Sequence, residues 1–337
     1  MDTSFCPSQC KEAIRWKALE AGFSACGFAE AMPVDPEAAT RYANWIAAEK
    51  NGSMAYMENY PDLRLDPRTL LDGARTVISM AINYYPKRLQ QSDAPQFAYY
   101  AYGNDYHDVV RHRLQTVADF IRTELGGECR CCVDTAPLRE RYWAQRAGIG
   151  FIGRNNHLII PSHGSFFFLG EILTTLPVAP DNRLNIGCGD CHRCVDACPM
   201  GALSRDGGCL DARICISCMT IEHRGTLPDI VAQRLGNRVY GCDECQKACP
   251  HNRFSSPTEI EEFSPSDEFL ALNDETMAGM TEDDFRRLFR RSAVKRAKYA
   301  GLMRNFEAMR KYKKLGISQC MTCCCRQSHH DRVLCGC

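Results

Sequence analysis

The chain contains no apolar run long enough to cross a bilayer. Its opening segment, MDTSFCPSQCKEAIRWK, lacks the basic-then-apolar layout of an export signal. A membrane or exported protein is therefore not expected, and a cytoplasmic one is. Charge imbalance is also missing, since 41 Lys and Arg face 41 Asp and Glu. Any attraction to nucleic acid must come from a local patch and not from the whole chain. No period of solenoid length recurs, so a repeat architecture is not expected. What is present is a chain of 337 residues, 45% of them hydrophobic, enough for more than one buried core.

Cysteine is the residue in excess. There are 22, and the central group is spaced at two- and three-residue gaps. In a long chain without an export signal such spacing reads as metal ligation, not disulfides. Cys188-x2-Cys191-x2-Cys194-x3-Cys198-Pro199 is a complete bacterial 4Fe–4S run: three thiolates wrap one cubane and the fourth turns to another. Cys242-x2-Cys245-x3-Cys249-Pro250 repeats the run without its first cysteine. The crossover assigns Cys188, Cys191, Cys194 and Cys249 to one cluster. It assigns Cys198, Cys242 and Cys245 to the other, with Cys215 as the fourth ligand and Cys218 as the competitor for that place. Cys209, and whichever of these two is unused, reads as a small buried hydrophobe. Two clusters form an electron relay, so the long segment that precedes them must bind something.

Periodicity predicts helices over 11–21, 36–50, 106–125 and 138–147, a buried strand over 77–85 and a short strand over 129–134. It also predicts a strand pair, HLIIP with SFFFLGEIL, folded across Ser162-His163-Gly164. The expected fold class is α+β. A first domain occupies 1–180, a two-cluster ferredoxin-like domain 181–256 and a basic helical segment 257–317. The cysteine-rich tail, 318–337, is expected to be disordered, with zinc binding as its alternative. Within 286–314, twelve Lys and Arg stand against one acid, Glu307. That density is either a solvated helical face or a phosphate-binding surface.

Segments in order along the chain resemble the epoxyqueuosine reductase family. They include GNDYHDVVRHRL (103–114), VDTAPLRERYWAQRAGIGFIGRNNHLIIP (133–161), GSFFFLGEILTTLP (164–177), GNRVYGCDECQKACPHN (236–252) and SAVKRAKYAGLMRN (292–305). The resemblance covers residues 10–315. It implies a nitroreductase-like, cobalamin-binding first domain followed by two 4Fe–4S clusters paired as above. It implies a tRNA substrate bearing an epoxycyclopentanediol at the wobble position, whose epoxide oxygen leaves as water to give queuosine. Asp134 matches the family's proton donor, at a strand end where burial would raise its pKa. The other reading of Asp134 is an N-cap for a helix beginning near Pro137.

The same resemblance places Asp134, Leu158, Pro161, Ile172 and Ser217 against the cobalamin. His157 is a poor candidate for a cobalt ligand, because the family's cobalamin lacks a lower protein ligand. His107 reads as a hydrogen-bonding group and Glu140 as an outward, salt-bridging position. The implied partners are tRNA and an external electron donor such as a flavodoxin or ferredoxin, with no membrane and a monomeric enzyme. Many members continue into a helical-repeat domain after Arg304-Asn305, and this chain departs from them there. The alternatives are a ferredoxin-like electron carrier and a cobalamin-dependent reductase of another substrate, such as an organohalide.

Overall fold

The computed structural model describes residues 7–315, so the cysteine-rich tail lies outside the described residues. Helix α1 (Pro7–Glu20) leads into strand β1 (Ala25–Glu30), α2 (Pro36–Ala47), the short α3 (Pro61–Leu65) and β2 (Thr76–Asn83). Next come β3 (Gln96–Phe97), α4 (Tyr106–Phe120), β4 (Cys129–Cys132) and α5 (Glu140–Arg146). The short strands β5 (Phe151–Ile152) and β6 (Leu158–Ile159) precede β7 (Phe167–Thr174), and β8 (Arg238–Tyr240) lies within the cysteine-rich stretch. A four-stranded antiparallel sheet runs in the order β1-β2-β7-β4. The fold is mixed helix and sheet, as the sequence predicts.

Residue alternation explains the layering. β2 is buried from Thr76 through Ile82. Ile78, Met80 and Ile82 enter the core shared with α1 and α4, while Val77 and Ala81 enter the core shared with α2 and α5. β7 is likewise buried almost throughout. Gly170 on β7 allows α4 to approach closely, because a Cβ there would stand 2.8 Å from both Leu114 and Val110. Helix starts are set by local chemistry. The Asp35 side chain accepts from the Ala38 N–H at 2.8 Å to cap α2, and Asp105 accepts from the His107 N–H at 3.2 Å to cap α4.

Two expectations need correction. HLIIP and SFFFLGEIL do not form a strand pair: β6 pairs with β5, and β7 lies between β2 and β4. An isolated bridge, Ile160 with Gly164, is the remnant of the expected pairing. The cause is the apolarity of β7, which makes it a central strand with both edges already used. β1 was not anticipated, because ACGFAE is too rich in small residues to show a period of two.

A third core ties the halves together. Phe97 and Tyr102 pack with Val231, Leu235, Val239 and Tyr240, and with Phe285, Phe289, Leu302 and Phe306 from the C-terminal helices. Parallel pairing of β3 with β8 links the same segments. The cluster segment is thereby fixed against the sheet domain, and a cavity opens where they meet. Among the described residues, no helix is long and apolar enough to cross a membrane.

Candidate functional site

The cavity has a volume of about 2320 Å³. That exceeds the roughly 300–1,000 Å³ of an ordinary small-molecule site. Its walls come from segments far apart in sequence: the 54–64 region, the start of α4, the Asp134 turn, α5, the 152–156 loop, Cys188, Glu222 and Lys295–Lys298. Thirteen Lys and Arg line it against eight Asp and Glu, so a chain neutral overall concentrates positive charge here.

Asp134 follows β4 with φ 39°, a backbone conformation uncommon for a residue with a side chain. It does not cap a helix, since α5 begins only at Glu140 after Arg139. Instead the carboxylate of Glu140 accepts the Asp134 backbone N–H. The Asp134 side chain is 52% exposed, and that exposure is onto the cavity. Its Oδ2 accepts from the Tyr106 hydroxyl at 2.9 Å and lies 2.9 Å from His107 Nε2. The ring of Tyr106 is held by stacking on Phe168, centroids 4.4 Å apart, and on His107 at 4.1 Å. The other His107 nitrogen, Nδ1, lies 2.6 Å from Asp105 Oδ1, and Lys295 Nζ lies 2.7 Å from Asp105 Oδ2.

These contacts set the charges. Burial pushes the Asp134 pKa up, but the hydrogen bond and charge of His107, with help from Tyr106 and Arg141, outweigh it and hold the carboxyl below its usual range. Burial works to lower the His107 pKa, yet its two carboxylate partners raise it to about 9. Glu140 is pushed up to about 8 by burial and then by the negative charge of Asp134. The expected rise at Asp134 is thus replaced by a rise at its two neighbours. Glu140 is not an outward position either, since it lines the cavity. The roles of Tyr106, Asp105 and Lys295 were missed. DYHD contains a visible N-cap signal for Asp105, but nothing local marks Lys295 as its partner.

Of the five residues expected against the cofactor, Asp134 lines the cavity, whereas Leu158, Pro161, Ile172 and Ser217 are not in its walls. Leu158 and Ile172 are buried in the two cores that flank the sheet. Ile152, Gly153, Arg154 and Asn156 supply the loop's share of the wall. A side chain at Gly153 would press on the ends of the Ile159 and Asn155 side chains, since a Cβ would stand 2.5 Å and 2.8 Å from them. Arg141 donates to the Asn156 carbonyl, fastening this loop to α5. His157 is held neutral, with its pKa lowered to about 3 by burial and by Arg141.

The eight predicted cysteine ligands lie close together, with Cys194 packed against Cys198 and Cys245 in one small core. Beyond the effect of burial, Cys188, Cys191 and Cys249 raise the Cys194 pKa by their proximity, and Cys188 and Cys191 act likewise on Cys249. Cys242, Cys215 and Cys198 do the same to Cys245. Cys218 is buried beside Glu222, and Cys209 Sγ lies 3.3 Å from Lys50 Nζ. Cys188 is also part of the cavity wall, and its Sγ accepts the Arg154 N–H at 3.4 Å. One cysteine group therefore adjoins the cavity directly.

The basic stretch does not present a single face. Arg286, Arg287, Lys295, Arg296 and Lys313 are paired with acids. Arg304 donates to the carbonyls of Met219, His223 and Gly225. Lys295, Arg296 and Lys298 reach the cavity.

Comparison with known proteins gives a consistent result. Residues 64–135 match the family described as epoxyqueuosine reductase QueG, DUF1730, and residues 187–252 match a 4Fe-4S double cluster binding domain. The chain is 39% identical over 300 residues to the epoxyqueuosine reductase of Cellulophaga algicola, covering 89% of this chain and 97% of that one. It is 35% identical over 305 residues to the Escherichia coli enzyme, covering 88% and 80%. A solved epoxyqueuosine reductase bound to an epoxyqueuosine-modified tRNA-Tyr stem loop superposes with a TM-score of 0.82 at 30% identity, covering 93% of this chain and 84% of that one.

Proposed function

The chain belongs to the epoxyqueuosine reductase family, and from that premise we propose that it reduces epoxyqueuosine in tRNA to queuosine, using a cobalamin in the cavity and two 4Fe–4S clusters. The observation that carries this reading is the placement of Asp134. Its carboxylate, held by His107 and Tyr106, faces a large cavity whose wall also includes Cys188 of the cluster segment. A proton source and an electron source thus adjoin the same space.

The residues fit a large planar cofactor. The wall includes glycines and loop backbone at Gly153, Asn156, Gly189, Gly207 and Gly208, which a macrocycle can lie against. Cobalamin bound there would supply the strongly reducing metal centre that breaking a C–O bond requires. Cys188, Cys191, Cys194 and Cys249 would hold the cluster next to the cavity, and Cys198, Cys215, Cys242 and Cys245 the other.

As the epoxide opens, negative charge builds on its oxygen. In a site from which substrate excludes water, that charge is costly unless a proton arrives with it. Asp134 is placed to deliver it, with His107 as the store behind. The basic wall would draw in the phosphates of the anticodon loop. The test is to purify the protein anaerobically, add cobalamin, and follow epoxyqueuosine-containing tRNA by nucleoside analysis. Conversion to queuosine, together with cobalamin and iron–sulfur absorption in one sample, is the expected result. Cluster absorption without conversion would favour the electron-carrier alternative.

A further inference from the structure

The overall reaction needs more protons than Asp134 can give. Turning an epoxide into an alkene breaks two C–O bonds and forms one C–C π bond. The oxygen leaves as water, so two electrons and two protons are consumed. The clusters supply the electrons, and an acid is needed for each of the two protons. Asp134 and His107 share a single transferable proton, since the pair rests as carboxylate and imidazolium. Once it is delivered, Asp134 is again a carboxylate and His107 is neutral.

A second acid stands beside the first. Glu140 opens α5, lines the cavity, and uses Oε1 to accept the Asp134 backbone N–H. Its Oε2 makes no hydrogen bond among the described residues, which leaves that oxygen for a proton. We propose that Glu140 is the second proton donor of the reaction, acting on the departing oxygen after Asp134 has delivered the proton drawn from His107. This rests on the epoxyqueuosine reading of the cavity.

The surroundings keep that carboxyl protonated. Asp134 faces it from the turn, Glu171 from β7 and Cys132 from β4, while Tyr106 and His107 face it from α4 and Arg141 adjoins it on α5. Glu171 is fully buried with its Oε2 unpartnered, so it too is pushed toward the neutral acid. Burial and the Asp134 charge outweigh Arg141 and His107 at Glu140, bringing it to about 8. A carboxylic acid held neutral near pH 7 is suited to give up a proton. In the step, the O–H bond of Glu140 breaks as the second C–O bond breaks. Water forms, and the carboxylate is reprotonated from solvent once product leaves.

Glu140→Gln separates this role from loop support, because the amide oxygen still accepts the Asp134 N–H. The expected result in a single-turnover assay on epoxyqueuosine tRNA is a rate lower by roughly a hundred-fold, with iron content and tRNA binding unchanged. The wild-type rate should fall as pH rises through about 8, where Glu140 loses its proton, and in the variant the fall should move up toward 9, where His107 loses its own. Infrared difference spectra of the wild-type protein between neutral and alkaline pH should show a protonated carboxyl band that Glu140→Gln removes. A Gln variant with the wild-type rate and pH profile, beside a slow Glu140→Ala, would overturn the proposal and leave Glu140 as the clamp of the Asp134 turn. Absence of the infrared band would overturn it independently. A wild-type enzyme that leaves the tRNA unchanged would overturn the substrate reading instead, and the infrared band would still decide whether Glu140 stores a proton.

Discussion

The cluster segment and the cavity wall are built by opposite means. Seven of the eight predicted cluster ligands lie in two short runs, 188–198 and 242–249, where spacing along the chain fixes their roles. The cavity draws its working groups from several elements. Tyr106 and His107 come from α4, Asp134 from the turn after β4, Glu140 from α5, Arg154 from a loop, and Lys295 from the C-terminal region. Metal ligation tolerates little variation in spacing, so it leaves a mark in the sequence. A hydrogen-bonded acid site depends on three-dimensional neighbours, and it leaves almost none.

The strongest way to break the comparison is at the one cluster position that spacing left open. Cys215 precedes the helix Ile216–Ile221 and lies near Cys198, Cys242 and Cys245, whereas Cys218 is buried one turn on beside Glu222. Cys215→Ala should lose the iron of one cluster and abolish turnover. Cys218→Ala should keep both. Iron and acid-labile sulfide analysis decides, and the reverse pattern would move the ligand to Cys218.

Next in size is the loss of the first proton. Asp134→Asn keeps shape and a hydrogen-bonding group but cannot pass on a proton. Turnover should fall by roughly a hundred-fold, while cobalamin and iron content stay at wild-type levels. A wild-type rate in this variant would show that the proton reaches the oxygen by another route.

These residues also show what the sequence made legible. Asp134 was readable as a candidate because it stands in a segment that resembles a known family. Its charge state was not, since that depends on His107 from α4, whose own state depends on Asp105 and, through it, on Lys295. Glu140 looked like an ordinary helix surface position, because nothing in RERYWA shows that its first turn faces a cavity. In the fold, helix α4 was legible from its apolar period. The partners of β7 were not, because a strand buried on both faces looks the same in sequence whichever strands flank it.

The basic stretch is where the comparison can be sharpened with smaller effects. Arg304 is partly buried and donates to three carbonyls and to Asn305 Oδ1. Asn305 in turn donates to the carbonyls of Thr220 and Val239. Arg304→Ala should therefore leave carbonyls unsatisfied and reduce stability by about 1–3 kcal/mol, read as a lower midpoint in chemical denaturation. Loss of tRNA affinity with unchanged stability would reassign Arg304 to the substrate.

Lys298 has the opposite setting. It begins the C-terminal helix Lys298–Lys314, lines the cavity, and makes no ion pair among the described residues. A lysine so placed is available to a phosphate, whereas Lys314 at the far end of the same helix is outside the cavity wall. Each phosphate contact releases counterions, so its removal shows in the salt dependence more than in the affinity at one salt concentration. Lys298→Gln should reduce the slope of log affinity for tRNA against log salt by about 1. Lys314→Gln should leave the slope unchanged, and neither substitution should alter the pH profile set at Asp134 and Glu140. Equal slopes for wild type and Lys298→Gln would mean that the charge excess of the cavity acts only from a distance. The basic stretch would then be a structural element, and the tRNA backbone would have to be held by other arginines of the cavity wall, Arg41 and Arg64 among them.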